Sequence, residues 1–385
     1  MRVLISGAGV AGPTLALLLA KAGMCCTVLE KSKALLPHGQ NVDLQGSAVT
    51  VVKKMGLMEE VRRRNTKEKG SQFIDSDGKP FAPFPIDKGS AASLTSEFEI
   101  LRGDLSALLY EATKDHPAVD YLFGTTIKRI ISNDERCVKI ELSSGDVEEY
   151  DLLVAADGQW SRVRKLFFPC EDVKSVEMGS YSVYYTVPRI LSDNDWWNIY
   201  LTSSSRLITL RPDPYGTTRA MFSLMPCNKA QHKEWFEAGR SDRQTQQKLQ
   251  IKMSRWSNSR VVCLGDAAYA PSPLTGMGTS LAIVGAYVLA GELSKLSVDE
   301  HPSKALRAYE DKFRPFVDEV QKVPFFVPGI MHPNTVRKRW LLHGFLRGFS
   351  KIVAVPWVRR RLGDPGNSED FPLQDYTKFV WDKSM

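Results

Sequence analysis

Apolar positions in this chain follow two periods. Residues 2–6 are a short apolar run. Residues 25–30 form a second run, which ends in Glu30. Between them lie Gly7-Ala8-Gly9-Val10-Ala11-Gly12 and an apolar segment reaching Gly23, so the N-terminus reads as strand, helix, strand. Residues 46–65 predict a helix with Val49, Val52, Met55 and Val61 as its buried stripe. Residues 71–86 predict a hairpin turning at Asp77-Gly78. A strand at 98–101 and a helix over 103–115 follow, with Asp104 at the positive end of that helix. Residues 119–154 contain β segments broken at Asn133-Asp134 and Ser144-Gly145-Asp146. Residues 172–225 alternate Tyr, Thr, Val and Ser, which predicts an antiparallel sheet. The polar run 232–254 predicts a helix, 260–264 a strand, and 278–297, 302–322 and 335–353 helices.

Composition makes this an ordinary globular chain. Of 385 residues, 43% are hydrophobic and 25% charged, enough for a large core in two domains or one large elaborated one. The six cysteines include no C-x-x-C pair and no zinc-type spacing, which predicts free thiols in a reducing compartment. The chain runs from Met1 almost directly into the first strand, with no leader pattern, so a cytoplasmic location is expected. No apolar run has the length of a membrane span. The net charge of +7 is local. From Val320 to Gly363 there are nine Lys or Arg and no Asp or Glu, so the rest is near neutral. This argues against a nucleic-acid-binding face.

Three glycine-bearing turns carry the chemistry. In GAGVAG, Gly7 allows the tight turn, Gly9 lets a phosphate approach the backbone, and Gly12 lets the helix pack on the strand. The helix N-terminus offers N–H groups to a pyrophosphate. Glu30 follows just over 20 residues after the glycines, at the end of the second strand, where a carboxylate accepts from ribose hydroxyls; Lys31 stands beside it. In DLLVAADGQWSRVR, residues 151–164, an apolar strand ends at Asp157-Gly158, and Ser161 and Arg164 open a helix. In GDAAYAPSPLTGMGTS, residues 265–280, a single acid, Asp266, ends an apolar strand. Pro271, Pro273, Gly276, Met277, Gly278 and Thr279 then lead into a helix. A plain strand-to-helix connection needs about four residues; this one is longer.

In this order and at these separations, the three turns resemble the group A FAD-dependent aromatic hydroxylases, the para-hydroxybenzoate hydroxylase fold. The resemblance covers residues 1–300 in outline and is closest to the tetracycline-inactivating branch. It implies an α/β fold: a Rossmann-type FAD-binding domain (1–70, 98–168 and 256–300) interleaved with an antiparallel-sheet substrate domain (71–97 and 169–255). A C-terminal helical region (301–385) would brace both. It further implies non-covalent FAD held by Gly7, Gly9, Val10, Ala11, Gly12, Glu30 and Lys31 at the adenine end. Gly265, Asp266, Pro273, Gly276, Met277, Gly278 and Thr279 would hold the flavin end. Asp157 and Gly158 match the family's Asp-Gly motif. Arg102, in EILRGDL, matches its flavin-side arginine, and Asp43, in GQNVDL, an acid near the flavin ring.

The resemblance also implies the chemistry. NAD(P)H reduces FAD and leaves, oxygen adds at flavin C4a as a hydroperoxide, and a small apolar, aromatic or polyketide-like substrate takes the distal oxygen. Relatives carry an arginine shortly before the Asp43 segment. Residues 32–38 have none, so Lys33 or His38 would stand in. Relatives often carry His where Tyr269 stands and Gln where Met277 stands. With no histidine between 117 and 231, a base on the middle sheet falls to Tyr181, Tyr184, Tyr185, Arg206, Arg211 or Arg219, or to Asp43 opposite. Trp196, Trp197 and Tyr200 form an aromatic group suited to a substrate wall or to packing. Leu341, Phe345, Phe349 and Ile352 predict the docked face of the bracing helix; contact of this basic region with a membrane surface, or with an anionic substrate or partner, is the alternative. The alternatives for the whole chain are a flavin dehydrogenase or oxidase, and a flavin- and ligand-binding protein without turnover. The Trp-x-Trp-x-Ile-Pro signature of flavin halogenases is absent.

Overall fold

The structure, a computed structural model, describes residues 1–36, 39–86, 95–241, 245–298, 300–322, 327–355 and 370–379. His38, Trp357 and Arg359 to Arg361 lie outside these residues. Strand Arg2–Ser6, with Val3, Leu4 and Ile5 fully buried, is interior to a six-stranded sheet. Cys25–Glu30 pairs with it on one side and Leu152–Ala155 on the other, both parallel. Val119–Phe123 and Val261–Cys263 extend the two sides in parallel, and Ser257–Asn258 closes one edge antiparallel. Because the strands flanking Arg2–Ser6 lie on opposite sides, a crevice opens at its carboxyl end, where α/β sheets bind ligands.

Helix Ala11–Lys21 packs on helix Gly278–Ser294. The latter is apolar on every side and buried from Ser280 to Ser294, as expected of a helix enclosed by core. A side chain at Gly285 would meet the Tyr269 hydroxyl at 2.1 Å. The small residue therefore admits Tyr269 into a buried group with Tyr309, Trp256 and Phe313. Helix Ser303–Val320 adds Tyr309 and Phe313 to that core.

A seven-stranded sheet stands against this unit in the order Thr245–Met253, Val173–Pro188, Thr217–Leu224, Arg206–Pro212, Trp197–Leu201, Gly70–Ile74 and Pro80–Pro85. The predicted 71–86 hairpin forms its last two strands. One pair, Trp197–Leu201 with Gly70–Ile74, is parallel, which the antiparallel expectation did not include. The predicted helix over 232–254 is corrected to helix Lys229–Ser241 followed by strand Thr245–Met253. Leu249, Ile251 and Met253 are buried at every second position, a period-2 signal hidden in a polar run. The single helix predicted over 46–65 is two, Ser47–Lys54 and Met58–Arg63. A small antiparallel sheet joins Ile127–Asn133, Val138–Leu142 and Val147–Tyr150, and Asn41–Asp43 pairs with Glu99–Leu101.

The last long helix, Val336–Val353, docks on the end of the large sheet. Of the predicted stripe, Phe349 docks and the other three do not. Leu342, Leu346 and Phe349 pack against the Phe73/Phe84 cluster, whereas Leu341, Phe345 and Ile352 are exposed. Leu342 and Leu346 each follow a predicted residue by one position, so apolar side chains at helical spacing run along two adjacent faces, and spacing alone does not choose between them. Residues 370–379 contain no long helix; they lay Phe371, Tyr376 and Phe379 into the main core.

Candidate active site

Strand Arg2–Ser6 delivers its chain directly into the glycine turn. Gly7 N donates to Leu29 O at 2.7 Å, and Gly7 takes φ +113° with Ala156 O 2.5 Å from where a Cβ would lie. A Cβ on Gly12 would sit 2.0 Å from Gly7 O. Turn and helix thus close on each other only without side chains, while Gly9 faces open space. The Glu30 carboxylate accepts from Ala8 N (3.1 Å) and Ser32 N (2.9 Å), which fixes it beside the turn.

The second turn is built by capping. Asp157 accepts from Ser161 Oγ and from the N–H groups of Arg162 and Val163, and Ser161 Oγ accepts from Arg164 N. Buried Arg164 donates to Gln159 O and to Ala267 O, each at 2.7 Å. It therefore ties the Asp157 turn to the Asp266 turn, and desolvation lowers its affinity for a proton. In the third turn, Gly276 ends a short 3₁₀ segment at φ +65°, a left-handed cap that suits glycine. Asp266 accepts no hydrogen bond from another described residue. Desolvation pushes its carboxyl up from the ordinary value, and Arg102 partly offsets this.

One cavity of about 2110 Å³ joins all three turns to the large sheet. A pocket for one drug-sized ligand is roughly 300–1,000 Å³, so this one has room for a dinucleotide and a second molecule. All the predicted cofactor residues line it except Gly12, Gly265 and Met277. Gly12 is at the helix–turn contact. Gly265 packs towards Ala11 and Ala282. Met277, expected beside the flavin, turns its side chain into the core, and Tyr269 likewise lies behind the wall. Lys33 does not line the cavity. The residues fit FAD: an open glycine turn at a helix start, a carboxylate at the second strand end, and a half-buried acid without a hydrogen-bond partner at the far end.

Phe73, Phe84, Trp197, Ile199 and Met221 form the sheet-side wall. Of the residues predicted there, Tyr181, Tyr184, Trp197, Arg211 and Arg219 line the cavity; Tyr185, Trp196, Tyr200 and Arg206 do not. Both arginines are paired. Arg219 binds Asp213. Arg211 binds Glu68 twice at 3.0 Å and Glu99 at 2.5 Å, with its guanidinium 4.2 Å above the Trp197 ring.

His332 is a further wall residue that the sequence reading missed. It is buried, lines the cavity, and lies with Nε2 3.1 Å from Ser223 Oγ. Ser223 donates to Tyr181 O, so its oxygen is left to accept from His332. The chain carries His332 there by pairing Pro333 O with Ser205 N at 3.1 Å. Excluding a histidine within the sheet was correct for the strands, but this one arrives from outside them, and no local signal marked it.

The chain is similar over its whole length to known proteins. It is 32% identical to the monooxygenase CTB7 of Cercospora beticola, over 97% of each chain. Among solved structures, tetracycline destructase Tet(55) superposes with a TM-score of 0.73 at 25% identity, over 91% of this chain and 95% of that one. HpxO of Klebsiella pneumoniae, solved with FAD and uric acid, superposes with a TM-score of 0.68 at 20% identity, over 90% and 93%. The family model of the FAD binding domain matches residues 1–253 and 228–323, and the chain belongs to that family of FAD-dependent monooxygenases.

Proposed function

We propose that this enzyme uses NAD(P)H and O2 to insert one oxygen atom into a small apolar substrate, aromatic or polyketide-like. The observation that carries the reading is the single cavity. Its glycine-turn arm suits the ADP part of FAD, and its other arm is walled by Phe73, Phe84, Trp197, Ile199 and Met221. The bound flavin supplies the redox and oxygen chemistry. Gly7, Gly9 and Glu30 would hold its adenosine and phosphates; Asp266, Arg102, Gly276 and Gly278 its ribityl and flavin end. Gly12 and Gly265 would serve by packing. The FAD unit would comprise 1–70, 98–168 and 256–300, and the substrate unit 71–97 and 169–255.

The sheet arm would exclude water and orient the substrate, with His332 beside Tyr181 and Tyr184 as polar groups set among the apolar side chains of its wall. The reading also supports the choice of a transient nicotinamide, because the chain has no second glycine-rich dinucleotide turn.

The test begins with colour. Purified protein should be yellow and release FAD on denaturation. A substrate screen by rate of flavin reduction then identifies ligands. With a hit, NAD(P)H and O2 should be consumed one to one, with one ¹⁸O atom from ¹⁸O2 in the product. Reduction of an acceptor without oxygen in product would establish a dehydrogenase or oxidase. Ligand binding with no stimulated NAD(P)H oxidation would establish a binding protein.

A further inference from the structure

Helix Val336–Val353 has two apolar stripes, and only one is used. Leu342, Leu346 and Phe349 dock on the sheet. Leu341, Phe345 and Ile352, four and seven residues apart, lie on the outward side at 62%, 65% and 54% exposure, with Trp340 at 74%. Four bulky apolar side chains on one docked helix are more than scattered surface residues require. Exposed Arg337, Lys338 and Lys351 surround them, and none is ion-paired with a described residue. Phe345 is at once exposed and part of the cavity wall, beside Leu346 and Phe349. The outward stripe therefore continues into the cavity at its edge.

We propose that the outward face of this helix docks on an anionic lipid surface and sets the cavity edge at the bilayer, from which an apolar substrate enters. Interfacial helices combine an apolar stripe carrying Trp, Phe and Leu with flanking Lys and Arg, whose stems reach to the headgroups. The charge selects this occupant over a second copy of the chain. The helix holds five basic residues, Arg337, Lys338, Arg339, Arg347 and Lys351, and no acidic one, so a two-fold contact through this face would set like charges against each other. Anionic headgroups complement it. Among the described residues no helix is long and apolar enough to cross a membrane, and docking needs none. The delivery role rests on the apolar-substrate reading; the docking itself does not.

The experiment is sedimentation of the full-length FAD-loaded enzyme with vesicles of phosphatidylcholine alone or with 30% phosphatidylserine, about a third anionic as a probe composition. The wild type is expected to sediment with the anionic vesicles and to be released in 0.5 M NaCl, roughly where screening shortens to a few ångström. The L341E/I352E variant, neither residue lining the cavity, is expected to lose about tenfold or more of that partitioning. It should retain FAD and its turnover of a soluble substrate. Should that variant fail to fold, Trp340 serves instead: brominated anionic lipid should quench the tryptophan fluorescence of the wild type more than that of a Trp340→Phe variant. Three results overturn the proposal: no preference for anionic vesicles, equal binding by a folded variant, or a concentration-dependent dimer that this variant abolishes. Vesicle binding without oxygenation would leave docking standing and remove the apolar-substrate reading; oxygenation without vesicle binding would do the reverse.

Discussion

Arg211 reaches from the seven-stranded sheet to Glu99, 2.5 Å away on the short strand that pairs with Asn41–Asp43. Its other contact, Glu68, is also fully buried. One guanidinium thus joins the seven-stranded sheet to the strand pair beside the cavity. Removing one member of a buried ion pair strands the rest, at roughly 3–5 kcal/mol. Arg211→Ala should therefore lower unfolding free energy by about that amount. Arg211→Met with Glu68→Gln and Glu99→Gln should recover much of it. Urea unfolding of the variants measures both, and a loss below about 1 kcal/mol for Arg211→Ala would show the cluster to be well hydrated.

The same cluster makes stability depend on pH. Burial first, opposed by Arg211 and reinforced by Glu68 and Asp43, raises the Glu99 carboxyl from 4.5 to about 8. Glu68 shifts in the same direction. The folded protein then keeps a proton that the unfolded chain loses above about pH 4.5. Stability is fullest below that pH and falls as pH rises towards about 8, by at most ~1.4 kcal/mol per unit for one group. Glu99→Gln should flatten the fall between pH 5 and 8 in thermal unfolding of the FAD-free protein. Parallel curves for the two proteins would rule out a protonated Glu99.

Asp266 predicts a trade between binding and folding. Its carboxyl is half-buried on the cavity wall, is raised above the ordinary value by burial, and lacks a hydrogen-bond donor among the described residues, so without ligand its charge adds nothing to stability. A hydrogen bond from FAD to that charge is worth roughly 1.5–3 kcal/mol. Asp266→Ala should weaken FAD retention about tenfold or more while leaving the FAD-free protein as stable as the wild type, or more so. Equilibrium dialysis with flavin fluorescence, beside a melt of the apo-protein, reads both quantities. Unchanged retention would remove Asp266 from the site.

The fold was legible where one period ran without competition. Strand Arg2–Ser6, the glycine turn and strand Cys25–Glu30 have apolar runs and glycines that no other element fits. The turns at 157 and 266 were legible through backbone-special residues, although the link between them, Arg164 to Ala267 O, is a contact 103 residues apart with no local trace. Strand Thr245–Met253 was not legible, because its alternation is buried in Gln and Lys. Met277 was misread because neighbouring glycines said where the backbone goes but not where the side chain turns. Glu68, Glu99 and Arg211 were separable only as three ordinary charges; tertiary pairing alone makes them a cluster.

His332 carries the last prediction. It is the imidazole on a wall that also carries Tyr181, Tyr184, serines and paired arginines among its apolar side chains, and Ser223 sets its ring. If it holds a polar substituent of the substrate, His332→Ala loses one hydrogen bond, about 1–1.5 kcal/mol, or up to roughly tenfold in kcat/KM. FAD retention should not change if FAD occupies the glycine turns as proposed. A uniform binding role predicts that KM rises and kcat holds; a proton-transfer role predicts that kcat falls and its pH profile loses a limb. Ser223→Ala frees the ring, so it should reproduce the histidine defect more weakly. Steady-state kinetics across pH on the three proteins separates these outcomes, and equal kcat/KM in all of them would return His332 to a purely structural part in anchoring the segment at Pro333.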